Sequence, residues 1–275
     1  MAAVSTSQRT YRYLRLTLAV VPVALLVAVA IAAADVGVLP TVSHYFYTPA
    51  RTVFSASLVV AAACLLALSG RGPQRLLLDV AALFAPLVAI VPTPLSAGEV
   101  PGLAVSCAQC IPAPFADDLD NALLTYLVVG ALVVVIGAVL GLRGDIDLRA
   151  SGPTLAVAVV VLVVVALVWS LAPAVLTRSA HLVAAFGFFA LIALVALAEA
   201  VWPSTEHPPH HRMRVGYVVV AIALLVDLAL TVVLGVVADL PVVFAGEVVA
   251  LLLFVVFWMM QTAQKWSMPD PALRG

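Results

Sequence analysis

Residues 154–176 read TLAVAVVVLVVVALVWSLAPAVL, a run of 23 residues with no charged side chain. At about 1.5 Å per residue such a run spans the roughly 30 Å hydrocarbon core of a bilayer. In lipid the main chain must satisfy its own hydrogen bonds, which a single spanning segment does only as a helix. This stretch therefore decides the class: an all-α, polytopic integral membrane bundle. Working outward, the same pattern recurs at Leu14–Ala34, Thr52–Leu68, Leu76–Val91, Leu123–Leu142, His181–Trp202, Gly216–Val237 and Val242–Thr262. With Thr154–Leu176 these predict eight transmembrane helices. Leu76–Val91 is the shortest and contains Pro86, which predicts a kink or a partial span.

Composition agrees with this class. The chain has 275 residues, of which 65% are hydrophobic and only 10% charged. Soluble domains carry about 25% charged residues. So few charges cannot clothe a water-exposed surface, and a net charge of −1 offers no basic face for nucleic acid. The chain reads as one transmembrane domain over residues 1–275, with the lipid bilayer as its expected partner. Its longest connection is residues 92–121. Arg9, Arg12 and Arg15 precede the first apolar run in the manner of a signal peptide. The run is longer than the roughly 7–15 residues of a signal core, so it reads as a retained first helix.

The basic residues orient the bundle. Eight helices put Arg9, Arg12, Arg15, Arg71, Arg75, Arg143, Arg149, Arg212, Arg214, Lys265 and Arg274 on one side, eleven of the thirteen. Only Arg51 and Arg178 fall on the other. The positive-inside rule makes the first side cytoplasmic, with both termini there, in a cell membrane.

Ionisable groups within apolar helices cost about 2.5–3.5 kcal/mol at mid-span on insertion scales and are the natural candidates for a site. Asp79 and Glu199 lie near cytoplasmic helix ends, where snorkelling or pairing with Arg75 or Arg71 accounts for them. Asp227 and Glu247 lie deeper, on two helices joined by a short turn. The outer level also carries Asp35, His44, Arg51, Arg178 and His181. Arg51, His181, Asp227, Glu247, His44 and Arg178 are therefore the expected ligand-binding set. The arginines and histidines would orient an anionic head group, and the carboxylates would take protons or cations. The same residues read equally as interhelical glue, including an Arg51–Glu247 pair. The expected function is to bind or transport a small or lipidic ligand through this outer-half pocket, and no residue is assigned a catalytic role.

Cys107 and Cys110 form a Cys-x-x-Cys on the outer side, where an oxidising compartment favours a disulfide. Pro112 and Pro114 argue against the helix N-terminus that a redox-active pair needs. Ile111 stands where haem attachment needs histidine. His207, His210 and His211 lie in a Pro-rich cytoplasmic segment without an acidic or thiolate partner, so no metal or cofactor is assigned.

The Ser43–Phe54 stretch leading into the second helix resembles a group of uncharacterised multi-pass bacterial membrane proteins. Val91-Pro92-Thr93, His181 followed by Ala184, Ala185, Phe188 and Phe189, and a late Glu247 before an aromatic helix end extend the likeness over most of the chain. The resemblance implies a multi-pass bacterial membrane protein. Thr52 departs from it, since an acid is expected after the arginine. The ceramidase-like membrane hydrolase superfamily offers a second comparison, through a zinc site of three histidines, an aspartate and a serine. Here His44 and His181 stand at one level with Asp227 and Glu247, but no His-x-x-x-His occurs on a late helix. A membrane-embedded metal hydrolase is thus a third reading.

Overall fold

A computed structural model describes residues 6–69, 74–106, 108–203, 208–237 and 242–266. These form eight long helices: α1 (Thr6–Val36), α2 (Arg51–Leu68), α3 (Arg75–Ile90), α4 (Ala113–Arg143), α5 (Leu148–Leu171), α6 (Pro173–Val201), α7 (His211–Val237) and α8 (Val242–Gln264). A 3-10 helix, Val42–Tyr47, stands between α1 and α2. Seven of the long helices are long and apolar enough to cross a membrane; α3, at 16 residues, falls short.

The packing is a ring with an appendage. α1, α2, α3, α6, α7 and α8 follow one another around a closed circuit, and α8 returns to α1. α4 and α5 form a hairpin outside it, leaning on α3 and α6. Their apolar side chains are largely uncovered, Val128 at 58% and Val164 at 51% exposure, as lipid-facing helices require. Close approach within the hairpin is made at glycines: a Cβ on Gly130 would lie 2.6 Å from the Leu162 side chain. In α7 and α8, Thr231 packs into the space that a Cβ on Gly246 would need.

Proline shapes the ring locally. Pro22 removes one hydrogen bond from α1 and lies buried on its inward face. Pro86, half-buried, also removes one hydrogen bond from α3, and near it Tyr126 on α4 donates its hydroxyl to the main-chain oxygen of Leu83 at 3.1 Å.

Several helices, α1, α4, α5, α6 and α7, start earlier than the sequence reading, and the starts of α6 and α4 move Arg178 and three aspartates into helices. α6 begins at Pro173 rather than His181. Proline is well suited to a first turn, where its missing N–H has no helical acceptor. His181 therefore sits about two turns inside the helix, and Arg178 is on α6 rather than before it. α4 begins at Ala113 after Pro112, so Asp117, Asp118 and Asp120 are helical rather than part of the 92–121 connection.

One end of the bundle gathers basic side chains with the helix ends. Arg12 donates to the Trp266 main-chain oxygen at 2.8 Å, and its guanidinium lies 4.5 Å from that indole ring. Lys265 pairs with the buried Glu199, and Arg214 donates to the Ala200 carbonyl at 2.9 Å. Asp79 accepts from Thr154 at 2.8 Å and lies 3.6 Å from Arg75. Asp79 is thus partnered by Arg75, as its place in the sequence suggests, whereas the partner of Glu199 is Lys265.

Candidate functional site

Glu247 is the hub of the opposite end. Its Oε2 accepts the main-chain N–H groups of Val42 and Ser43, the latter at 3.2 Å, and its Oε1 is 2.8 Å from Ser43 Oγ. The first N–H groups of a helix have no partner within it and carry partial positive charge. A carboxylate from α8 supplies what the start of the 3-10 helix lacks. Thr41 caps the same turn, its Oγ1 accepting the His44 N–H at 3.0 Å. The Phe244 N–H donates to the Pro40 oxygen at 3.1 Å, so α8 and this segment are tied twice.

His181 reaches the same serine from α6. Its Nε2 lies 2.8 Å from Ser43 Oγ, and its Nδ1 lies 2.7 Å from the Val91 main-chain oxygen. Val91 ends α3 in extended conformation, so its carbonyl is free to accept. Ser43 thus stands between a carboxyl group and an imidazole, all three at the head of the ring. His44 turns the other way: its Nε2 donates to Glu99 at 3.3 Å and its Nδ1 is 2.5 Å from Thr41 Oγ1. Burial pushes the His44 imidazole below its ordinary pKa, and the hydrogen bond and charge of Glu99 offset part of that. Glu99 also accepts the Ser96 N–H at 2.6 Å, fixing the loop beneath it.

These groups border a cavity of about 830 Å³ inside the ring. Its polar wall includes Ser43, His44, Arg178, His181, Asp227 and Glu247; its apolar wall includes Leu25, Phe54, Phe188 and Phe254. Asp227 is half-buried on α7, and among the described residues neither it nor Arg178 has a hydrogen-bonding or ion-pair partner. Ligand sites have this character, a largely apolar hollow of roughly 300–1,000 Å³ with a few convergent polar groups.

Five of the six expected ligand-binding residues, His44, Arg178, His181, Asp227 and Glu247, border this one cavity. Arg51 does not. Its guanidinium pairs with Asp118 at 2.8 Å and lies over the Phe46 and Phe115 rings at 4.7 and 5.1 Å. The Arg51–Glu247 pair is therefore absent, because Glu247 is already held by the 3-10 helix. Asp35 is exposed at the end of α1 and does not reach the cavity either.

Sequence reasoning passed over Ser43, Thr41 and Glu99 as site residues. Hydroxyl groups carry no burial cost large enough to single them out, and a carboxylate in a loop is ordinary. The Val91 carbonyl has no sequence signal beyond the Val91-Pro92 end of α3. Cys107 lies outside the described residues, and with it the Cys107–Cys110 disulfide; Cys110 pairs its main chain with Leu95 in an antiparallel bridge, at 2.8 and 3.0 Å. His207 also lies outside them, while the His210 ring accepts the Met213 N–H at 3.3 Å. Among the described residues no group of three or more His, Cys, Asp and Glu could hold a metal ion. No family model matches the chain, and neither does any curated protein or solved structure, so the geometry of the cavity and its hydrogen bonds carries the functional reading.

Proposed function

We propose that this membrane protein binds a small amphiphilic or lipidic ligand inside the helix ring. The head group would lie among Ser43, His44, Arg178, His181, Asp227 and Glu247, and the apolar part along Phe54, Phe188 and Phe254. The single observation that carries the reading is the cavity itself, which joins an aromatic, lipid-like interior to unpaired charges of both signs. Arg178 suits an anionic group and Asp227 a cationic one, so a zwitterionic head group uses both.

In this reading the bundle makes eight passes with both termini cytoplasmic, in the cell membrane of a bacterium. The Arg12–Trp266 contact supports an even number of passes, since it brings the start of α1 to the end of α8. The basic bias of that end supports the orientation. The Cys107–Cys110 disulfide belongs to the same reading, on the oxidising side.

The test is binding of a fluorescently tagged lysophospholipid and a tagged fatty acid to the purified chain in nanodiscs. Saturable binding that Ala185→Trp abolishes is the expected result, because Ala185 borders the cavity. Equal, unsaturable partition into both proteins sinks the proposal. A second reading, polar residues as interhelical glue, is favoured by the Glu247 and His181 contacts, which join α3, α6, α8 and the 3-10 helix. It expects Glu247→Gln to lower thermal stability in detergent with no ligand bound by either protein.

A further inference from the structure

We propose that Glu247, Ser43 and His181 form a proton-binding site on the cavity wall, in which the Ser43 hydroxyl bridges carboxyl and imidazole and the three groups together hold one exchangeable proton. The argument is a count of hydrogens. The Val91 oxygen can only accept, so Nδ1 of His181 carries a hydrogen. Its Nε2 faces Ser43 Oγ at 2.8 Å, and Oγ faces Glu247 Oε1 at 2.8 Å. Glu247 Oε2 accepts two N–H groups, so an acid hydrogen belongs on Oε1. Two contacts need two hydrogens, and the serine brings one.

The second hydrogen comes from a protonated Glu247 or from a doubly protonated His181. With a carboxylate and a neutral imidazole together, the hydroxyl serves only one neighbour and the other contact sets two lone pairs face to face. The two filled forms interconvert without outside reagents. Oε1–H breaks as the proton passes to Oγ, and the former Oγ–H passes to Nε2, leaving carboxylate and imidazolium. The trio is neutral overall in both. Loss of the proton to the cavity leaves one negative charge and frees either Nε2 or Oε1 to bond an occupant.

The surroundings favour no single form by direct contact. His44, on the 3-10 helix, is engaged with Thr41 and Glu99. Arg178 on α6 and Asp227 on α7 share the cavity with opposite charges, and α1, α2 and α3 present no titratable side chain to it. The inference shares the cavity with the ligand reading but does not depend on what fills it.

The test is infrared and 15N magnetic-resonance spectroscopy of the full chain in lipid bilayers with no ligand added, from about pH 5 to about pH 9. Near pH 7 the wild type is expected to show either a protonated carboxyl band or a His181 ring with hydrogen on both nitrogens. Glu247→Gln removes that signal, because the amide NH₂ supplies the second hydrogen permanently. Ser43→Ala is expected to uncouple the two groups and shift their titrations by about one pH unit or more, a tenfold change in proton affinity. A carboxylate together with singly protonated His181 near pH 7 in the wild type overturns the proposal. So does a Ser43→Ala protein that titrates like the wild type. If Ser43→Ala does not fold, the wild-type and Glu247→Gln spectra decide alone. Failure of ligand binding leaves these spectra untouched, so the two proposals fall separately.

Discussion

His181 and Val91 are joined by one hydrogen bond of 2.7 Å, from ring Nδ1 to main-chain oxygen, across 90 residues of sequence. The contact fixes the rotation of the imidazole and so aims Nε2 at Ser43. His181→Phe fills similar space but orphans both partners. The expected cost is about 1–2 kcal/mol for each lost contact, read as a lower melting temperature in detergent. His181→Gln, which keeps an N–H donor, recovers part of it.

Arg51→Ala is expected to leave cavity binding unchanged. The Arg51–Asp118 pair is partly exposed, at 38% and 58% for the two side chains. Such pairs contribute about 0–1 kcal/mol, and the two aromatic rings under the guanidinium add a similar amount. A melting temperature within a few degrees of wild type checks this. A large loss of ligand affinity contradicts the placement of Arg51 outside the site.

The sequence made the apolar helices readable because lipid imposes a length and a composition on every span. It made depth readable less well. His181 looks like the first residue of a helix because the apolar run starts there, yet Pro173 starts α6 and carries the polar Arg178 within it. Polar residues in the first turns of a membrane helix blur its start. Glu247 and Asp227 stood out because buried carboxylates are costly, and both border the cavity. Arg51 stood out because it lies on the side opposite the basic bias, and it misled, since Asp118 hides in a segment that reads as loop. Ser43 bonds to both Glu247 and His181, and nothing in its chemistry marks that from afar.

Acid is expected to destabilise the bundle through His44. Its folded pKa is lowered, so the unfolded chain takes up the proton first and stability falls as pH drops below the ordinary histidine value. Melting temperatures between about pH 7.5 and about pH 5.5 measure the loss. His44→Gln, which keeps a donor toward Glu99 but does not titrate, is expected to show a smaller drop over that range.

The Glu199–Lys265 pair is expected to behave as a buried ion pair, with Glu199 at 3% exposure. Removing one partner, as in Lys265→Met, leaves a charge without its mate and costs about 3–5 kcal/mol. Glu199→Leu combined with Lys265→Met is expected to recover most of that. Thermal melting of the two single variants and the double variant gives the coupling directly.

The contact of α8 with α1 has a consequence for biosynthesis. Seven of the eight long helices leave the ribosome before the one that completes the circuit. Until α8 arrives, the starting N–H groups of the 3-10 helix wait without a carboxylate, and the hollow is a cleft open to lipid on one side. Glu247 meets partners already in place, so its docking and the completion of the cavity wall are a single event. A nascent chain stalled before α8 would therefore present the hollow without the wall that carries Glu247.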